Sequence, residues 1–71
     1  MERTFKKVEI VGVSDNGFTE ATRNAVAKAC QTLRNVGWFE VVEMRGLIDK
    51  GAIKEYQVTL KIGFRLEDQP A

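Results

Sequence analysis

Tyr56, Val58, Leu60, Ile62, Phe64 and Leu66 alternate without a break with Gln57, Thr59, Lys61, Gly63 and Arg65. A two-residue period over that length predicts a β-strand, residues 53 to 66, with one apolar and one polar face. Such a strand dictates much of what surrounds it. Its apolar face needs a cover, and its backbone groups need hydrogen-bonding neighbours. A chain of 71 residues has room for one such arrangement, hence for a single domain.

The cover lies upstream. Phe18, Ala21, Ala25, Val26, Ala29, Leu33 and Val36 recur at three- and four-residue steps, the stripe of an amphipathic helix over 18 to 35. Asp15, Asn16 and Gly17 are helix-start residues, Glu20 completes a capping box, and Gly37 is placed to end the helix. FKKVEIVGV, residues 5 to 13, reads as the first strand, and WFEVVEMRGLI, 38 to 48, as the second. Asp49 to Ala52 forms the hairpin loop between the second and third strands. Pro70, in the tail DQPA, reads as part of a frayed end.

A right-handed crossover through the helix makes strands one and two parallel to each other. The hairpin makes strand three antiparallel to strand two. The longest strand then belongs in the middle. The expected fold is α+β, a β-α-β-β chain with a three-stranded antiparallel sheet of order 1-3-2 and one helix on one face. If Ile48 opposes Ile53, then Val41 opposes Leu60 and Phe39 opposes Ile62 on the helix side. The same register puts Trp38 opposite Gly63, Glu40 opposite Lys61, Val42 opposite Thr59 and Met44 opposite Gln57 on the outer side.

The single tryptophan is thereby placed where the helix cannot cover it, facing a glycine. Val42 and Met44 add apolar area to that face, with Val11 and Val13 from the first strand. An exposed patch of this kind marks an interface or a ligand site. Trp38 is therefore either an interface anchor or a platform for a flat ligand. Gln57 is either a solvated strand residue or, through an amide that donates and accepts, a reader of a ring edge. Arg45 and Arg65 are either solvated strand ends or partners for a phosphate.

Composition narrows the rest. Eleven Lys and Arg against ten Asp and Glu give a net charge of +1, which predicts no nucleic-acid or anionic-membrane partner. Cys30 is the only cysteine and histidine is absent, so neither an internal disulfide nor a metal staple supports so small a core. Self-association is the remaining support. With no export signal or membrane span in the sequence, the expected location is the cytoplasm. Cys30, at the edge of the apolar stripe, reads as structural.

The joined pattern TLR, WFEV, RG, YQVTLK and GFRLE, with KKVEIVGVS before it, resembles the dodecin family over about residues 6 to 67. The resemblance implies one dodecin-like domain, residues 1–71 with an ordered core of about 4–67. It implies a small flavin-binding protein of β-α-β-β fold that forms a hollow homododecamer, helices outside, with flavins in pairs between symmetry-related tryptophans. It places that tryptophan at Trp38 and the glutamine at the flavin's polar edge at Gln57. Arg45 and Arg65 match basic positions near the flavin tail. FMN is the leading cofactor expectation, with riboflavin and FAD as alternatives. Coenzyme A is a second ligand seen in the family, and Lys28, Thr32 and Arg34 match its region, or are ordinary helix-surface residues. Gly37 departs from the family pattern, where many relatives carry Asp before the tryptophan.

The role implied is flavin storage with suppression of flavin photochemistry, not catalysis. Glu40 and Glu43 are expected on opposite faces of the sheet, so they make no carboxylate pair. Gly12, Gly17 and Gly37 form no phosphate loop. The competing expectations are a self-assembling module that binds coenzyme A or nothing, with Trp38 as interface anchor, and a flavin-using redox enzyme.

Overall fold

A computed structural model describes residues 2–67; Pro70 and the rest of the tail lie outside them. Among the described residues the order is β1 (Phe5–Ser14), α1 (Phe18–Thr32), β2 (Val36–Asp49) and β3 (Ala52–Arg65). The sheet has the order β1-β3-β2, and β3 is antiparallel to both neighbours. The expected α+β topology is the observed one. No helix among the described residues is long and apolar enough to cross a membrane.

The core is thin. Ala21, Ala25 and Ala29 of α1 press onto Val58, Leu60 and Ile62 of β3, with Val8, Ile10, Phe18, Val26, Leu33 and Val36 around them. Small residues every fourth position let the helix backbone approach the sheet closely. Gly12 of β1 carries this furthest: a Cβ there would collide with the Ala21 carbonyl oxygen and the Ala25 Cβ. Asn24 Nδ2 ties the helix to the same strand by donating to the Val13 carbonyl at 3.0 Å.

Both helix ends differ from expectation. Gly17 is the N-cap and no side chain caps the first turn, so the capping box with Glu20 does not form. The Ser14 hydroxyl instead accepts the Asn16 N–H at 3.0 Å, tightening the turn before the helix. At the other end α1 stops at Thr32, and Leu33 is already extended. Asn35, not Gly37, takes the left-handed conformation, with φ 62°. Asn tolerates that region, and its backbone and side chain both bond to Arg65, which secures the turn to β3.

The register between β2 and β3 is as expected from Trp38↔Gly63 to Val41↔Leu60, and again at Ile48↔Ile53. It shifts at Gly37, at Val42, and between Leu47 and Ile48. Between the shifts at Val42 and at Leu47/Ile48 the pairing is offset by one residue, which corrects two expectations: Met44 opposes Val58 and joins the helix side, and Glu43 opposes Thr59 on the same face as Glu40; Arg45 thereby comes opposite Gln57. Val42 itself opposes no residue and does not pair with Thr59.

The hairpin turns through Lys50 and Gly51, both at positive φ, 52° and 78°. Two such residues between paired strands are the mark of a type I′ turn, where Asn-Gly is preferred. Lys50→Asn is expected to stabilise the fold by about 0.5–1 kcal/mol, seen as a raised denaturation midpoint at fixed protein concentration.

The helix covers only part of the sheet. Phe39, Val41, Val42, Met44, Ile48 and Ile53 remain exposed, Ile48 at 77 %. The Cα radius of gyration is 15.1 Å, against about 11 Å for a compact chain of this length. An elongated subunit with this much uncovered apolar surface has the character of one part of an assembly.

Candidate functional site

The face of the sheet away from α1 is set by the pairing. Phe5, Lys7, Glu9, Val11 and Val13 of β1 oppose Arg65, Gly63, Lys61, Thr59 and Gln57 of β3. Trp38, Glu40, Glu43 and Arg45 of β2 oppose Gly63, Lys61, Thr59 and Gln57. All these residues share one surface, and it divides into two ends.

One end is built on Trp38. A Cβ on Gly63 would run into the indole carbons Cε2, Cζ2 and Cδ2, so the ring lies across Gly63 in the gap that a glycine leaves. Phe5 meets it edge-on, ring centroids 5.2 Å apart and planes at 64°. Trp38 is 39 % exposed even so. Its Nε1 donates to Glu40 Oε2 at 2.8 Å. Lys7 reaches over the central strand from the opposite edge and donates to both Glu40 oxygens, at 3.1 and 3.3 Å. Glu40 thus pairs with Lys7 and not with its register partner Lys61. The Trp38 N–H and then the Lys7 ammonium hold its carboxyl below the ordinary value of 4.5, with the charge of Lys61 adding to them. Arg65, opposite Phe5, stands at this end.

The other end is built on Gln57. Arg45 Nε donates to Gln57 Oε1 at 2.7 Å, and Gln57 Nε2 donates to Glu55 Oε2 at 2.7 Å. The two neighbours fix which way the amide faces. They leave it one further N–H and one further lone pair. Six residues of β3 separate Gly63, beneath the indole, from Gln57, which is about 20 Å of strand. The four outer-face candidates therefore fall into two pairs, Trp38 with Arg65 and Gln57 with Arg45. One chain does not bring them to one small ligand.

Lys28 and Thr32 line a groove of about 400 Å³ between α1 and β1, with Val8, Ile10, Val13 and Asn24 among its walls. Arg34 lies outside it and pairs with Glu67 at 3.3 Å. The Thr32 hydroxyl donates to the Lys28 carbonyl at 3.1 Å, a bond internal to the helix. Cys30 is exposed rather than packed in the core.

Sequence reasoning missed Phe5, Lys7 and Glu55; it placed Glu40 opposite Lys61, as observed, but not its ion pair with Lys7. A signal for the first two was present. Phe5 and Lys7 stand opposite Arg65 and Gly63 on one side, and Trp38 and Glu40 opposite Gly63 and Lys61 on the other, each pair at the two-residue step of one strand face. Reading it needed the register of β1, which no hairpin pins.

The ionised Glu40 bears on chemistry. A general acid must keep its proton near neutral pH, so its pKa has to be raised. The environment of Glu40 drives it the other way. Glu43 shares its face, but the Glu40 carboxylate is engaged as the acceptor of the Trp38 and Lys7 hydrogen bonds.

Comparison with known proteins matches the Dodecin family model over residues 4–67. A dodecin of Thermus thermophilus is 52 % identical over 68 residues, 96 % of this chain and 99 % of that relative. The dodecin structure from Streptomyces davaonensis superposes with a TM-score of 0.91 at 47 % identity, covering 96 % of this chain and 100 % of that one. The dodecin of Streptomyces coelicolor gives a TM-score of 0.90 at 49 % identity, over 94 % and 96 % of the two chains.

Proposed function

The chain belongs to the dodecin family, and on that premise we propose that it stores flavin, FMN first, between tryptophans of neighbouring copies in a hollow homododecamer. The observation that carries this reading is the Trp38 indole laid across Gly63 on the helix-free face of the sheet. A flat aromatic ring that is part-exposed, on a surface no element of its own chain covers, is a stacking platform.

The residues present fit a flavin in kind. Trp38 offers the aromatic face. Gln57, with one donor and one acceptor to spare, suits the polar edge of the isoalloxazine. Arg45 and Arg65 supply charge for the tail or phosphate. They do not fit within one chain, because about 20 Å separates the two ends. A second copy resolves this by bringing its Gln57 end to the first copy's Trp38 end. Assembly is then part of binding, and the uncovered apolar surface supplies its driving force.

When bound, flavin supplies a light-absorbing, redox-active ring. The chain's part is to stack on it, exclude water and substrates from its faces, and place an electron-rich indole in contact with it. That indole quenches an excited neighbour by electron donation. Storage with suppressed photochemistry follows, and turnover does not. This role suits the cytoplasm, the location in which we place the protein.

A second reading has coenzyme A in the groove of Lys28 and Thr32. Its support is that these two residues share a cleft of ligand size, about 400 Å³. Arg34 has no part in it.

The test is titration of FMN with the purified protein, read by flavin fluorescence, beside its mass by sedimentation. Fluorescence should fall until one flavin is bound per chain, on a particle near twelve times 8.0 kDa. Unquenched flavin in the presence of an intact particle would sink the reading. Coenzyme A as a second titrant separates the two ligands.

A further inference from the structure

An indole resting over a glycine is not held in place by the glycine. With no side chain at Gly63, the ring has room to slide or lift, and a strand residue at 39 % exposure has little packing to stop it. Phe5 packs edge-on against one side of the ring, and the directional hold on its orientation acts on its one polar atom, Nε1. That atom donates to Glu40 at 2.8 Å, and Glu40 is itself anchored by Lys7 through both oxygens. The three residues form a strap from β1 to β2 that crosses β3 at Gly63, where the central strand raises no side chain in the way.

We propose that Glu40, clamped by Lys7, is a positioning residue that sets the orientation of the Trp38 indole across Gly63 and so prepares the face on which a planar ligand stacks. Its ligand arm rests on the stacking role proposed above; its orientation arm does not. Two residues apart on one strand, Trp38 and Glu40 share a face, and an ionised acceptor makes the stronger bond to an N–H donor. An exposed ion pair such as Lys7–Glu40 adds little to stability, so the effect belongs to the ring and not to the fold.

The strap depends on Glu40 being ionised. The charged groups facing it are Lys7 and Glu9 from β1, Lys61 and Arg65 from β3, and Glu43 from β2. The folded-state pKa is lowered from 4.5. The strap is therefore at full strength above that value and fails as pH falls through the lower folded value.

The single tryptophan makes the test direct, because the protein has one indole N–H resonance. In flavin-free protein at neutral pH that proton should be shifted downfield and exchange slowly with solvent. It should lose both properties on acidification, with a midpoint below 4.5, and lose them at all pH values in Glu40→Ala. Glu40→Gln, which keeps an acceptor oxygen, should retain much of the shift and show no titration. In the ligand arm, Glu40→Ala should weaken FMN binding about tenfold, and glutamine should restore most of it. An indole N–H that is unmoved by Glu40→Ala overturns the proposal. So does unchanged FMN affinity in Glu40→Ala where the unaltered protein binds. If the unaltered protein binds no FMN, the storage function fails, and the resonance still decides whether Glu40 orients the ring.

Discussion

Gly12→Val is expected to remove about 3 kcal/mol or more of folding stability, enough to lower the melting temperature by on the order of 15 °C. Most glycine substitutions in a strand are milder. Here the added Cβ meets the Ala21 carbonyl and the Ala25 methyl. The first of these is helix backbone and has no rotamer to escape into. The helix must lift, and lifting opens the seam between Ala21, Ala25, Ala29 and the Val58–Leu60–Ile62 row, the buried apolar core of the described residues. A chain of this size has a total stability on the order of 4–10 kcal/mol, so the loss is a large fraction of it. Gly37→Ala is the control. Its Cβ would find only the Gly63 carbonyl, 3.9 Å away, and stability should stay within about 0.5 kcal/mol. Thermal melts at one protein concentration compare the two, since assembly makes the midpoint concentration-dependent. Equal melting temperatures would mean that the helix does not seat on Gly12 as closely as described.

The same seam explains why so much of the architecture was legible. The period of β3 and the four-residue alanine step of α1 are both long and unbroken, and each names the face it buries. Counting from Ile48 opposite Ile53 still reached Trp38 opposite Gly63, because the extra residue of β3 near Lys54 and the extra residue of β2 at Val42 cancel. Legibility stopped at the bulges. Val41 and Val42 are alike in size and polarity, so nothing in the sequence marks one of them as an extra residue. Yet that one residue moved Met44 to the helix side and Glu43 to the outer face. The helix terminus failed differently: glycine at 37 and asparagine at 35 both permit positive φ, and the bonds from Asn35 to Arg65, thirty residues away in sequence, decide between them. The strap from Lys7 to Glu40 was invisible for a related reason. It joins two edge strands whose backbones do not pair, over a glycine of the strand between them, and only the assembled sheet brings their side chains within reach.

Trp38→Ala is expected to weaken FMN binding about 100-fold, or ~2.7 kcal/mol, while leaving the particle assembled. Offset stacking on an indole contributes ~0.5–1.5 kcal/mol, and burial of the ring faces adds a similar amount. Loss of the Trp38–Phe5 contact and of the Glu40 hydrogen bond removes preorganisation as well. Whatever flavin still binds should fluoresce, because the electron donor is gone. Trp38→Phe should fall between the two in affinity and quench poorly, since phenyl is the poorer donor. The competing role makes the opposite forecast. An interface anchor truncated to alanine should release smaller particles, and flavin affinity would follow assembly rather than the ring. Sedimentation and fluorescence titration on the same sample therefore separate the cases. An intact particle with weakened, brightened flavin assigns the indole to the ligand. A dissociated one assigns it to the interface, and the apolar surface of Phe39, Val41 and Met44 would then be too weak to hold the copies together alone.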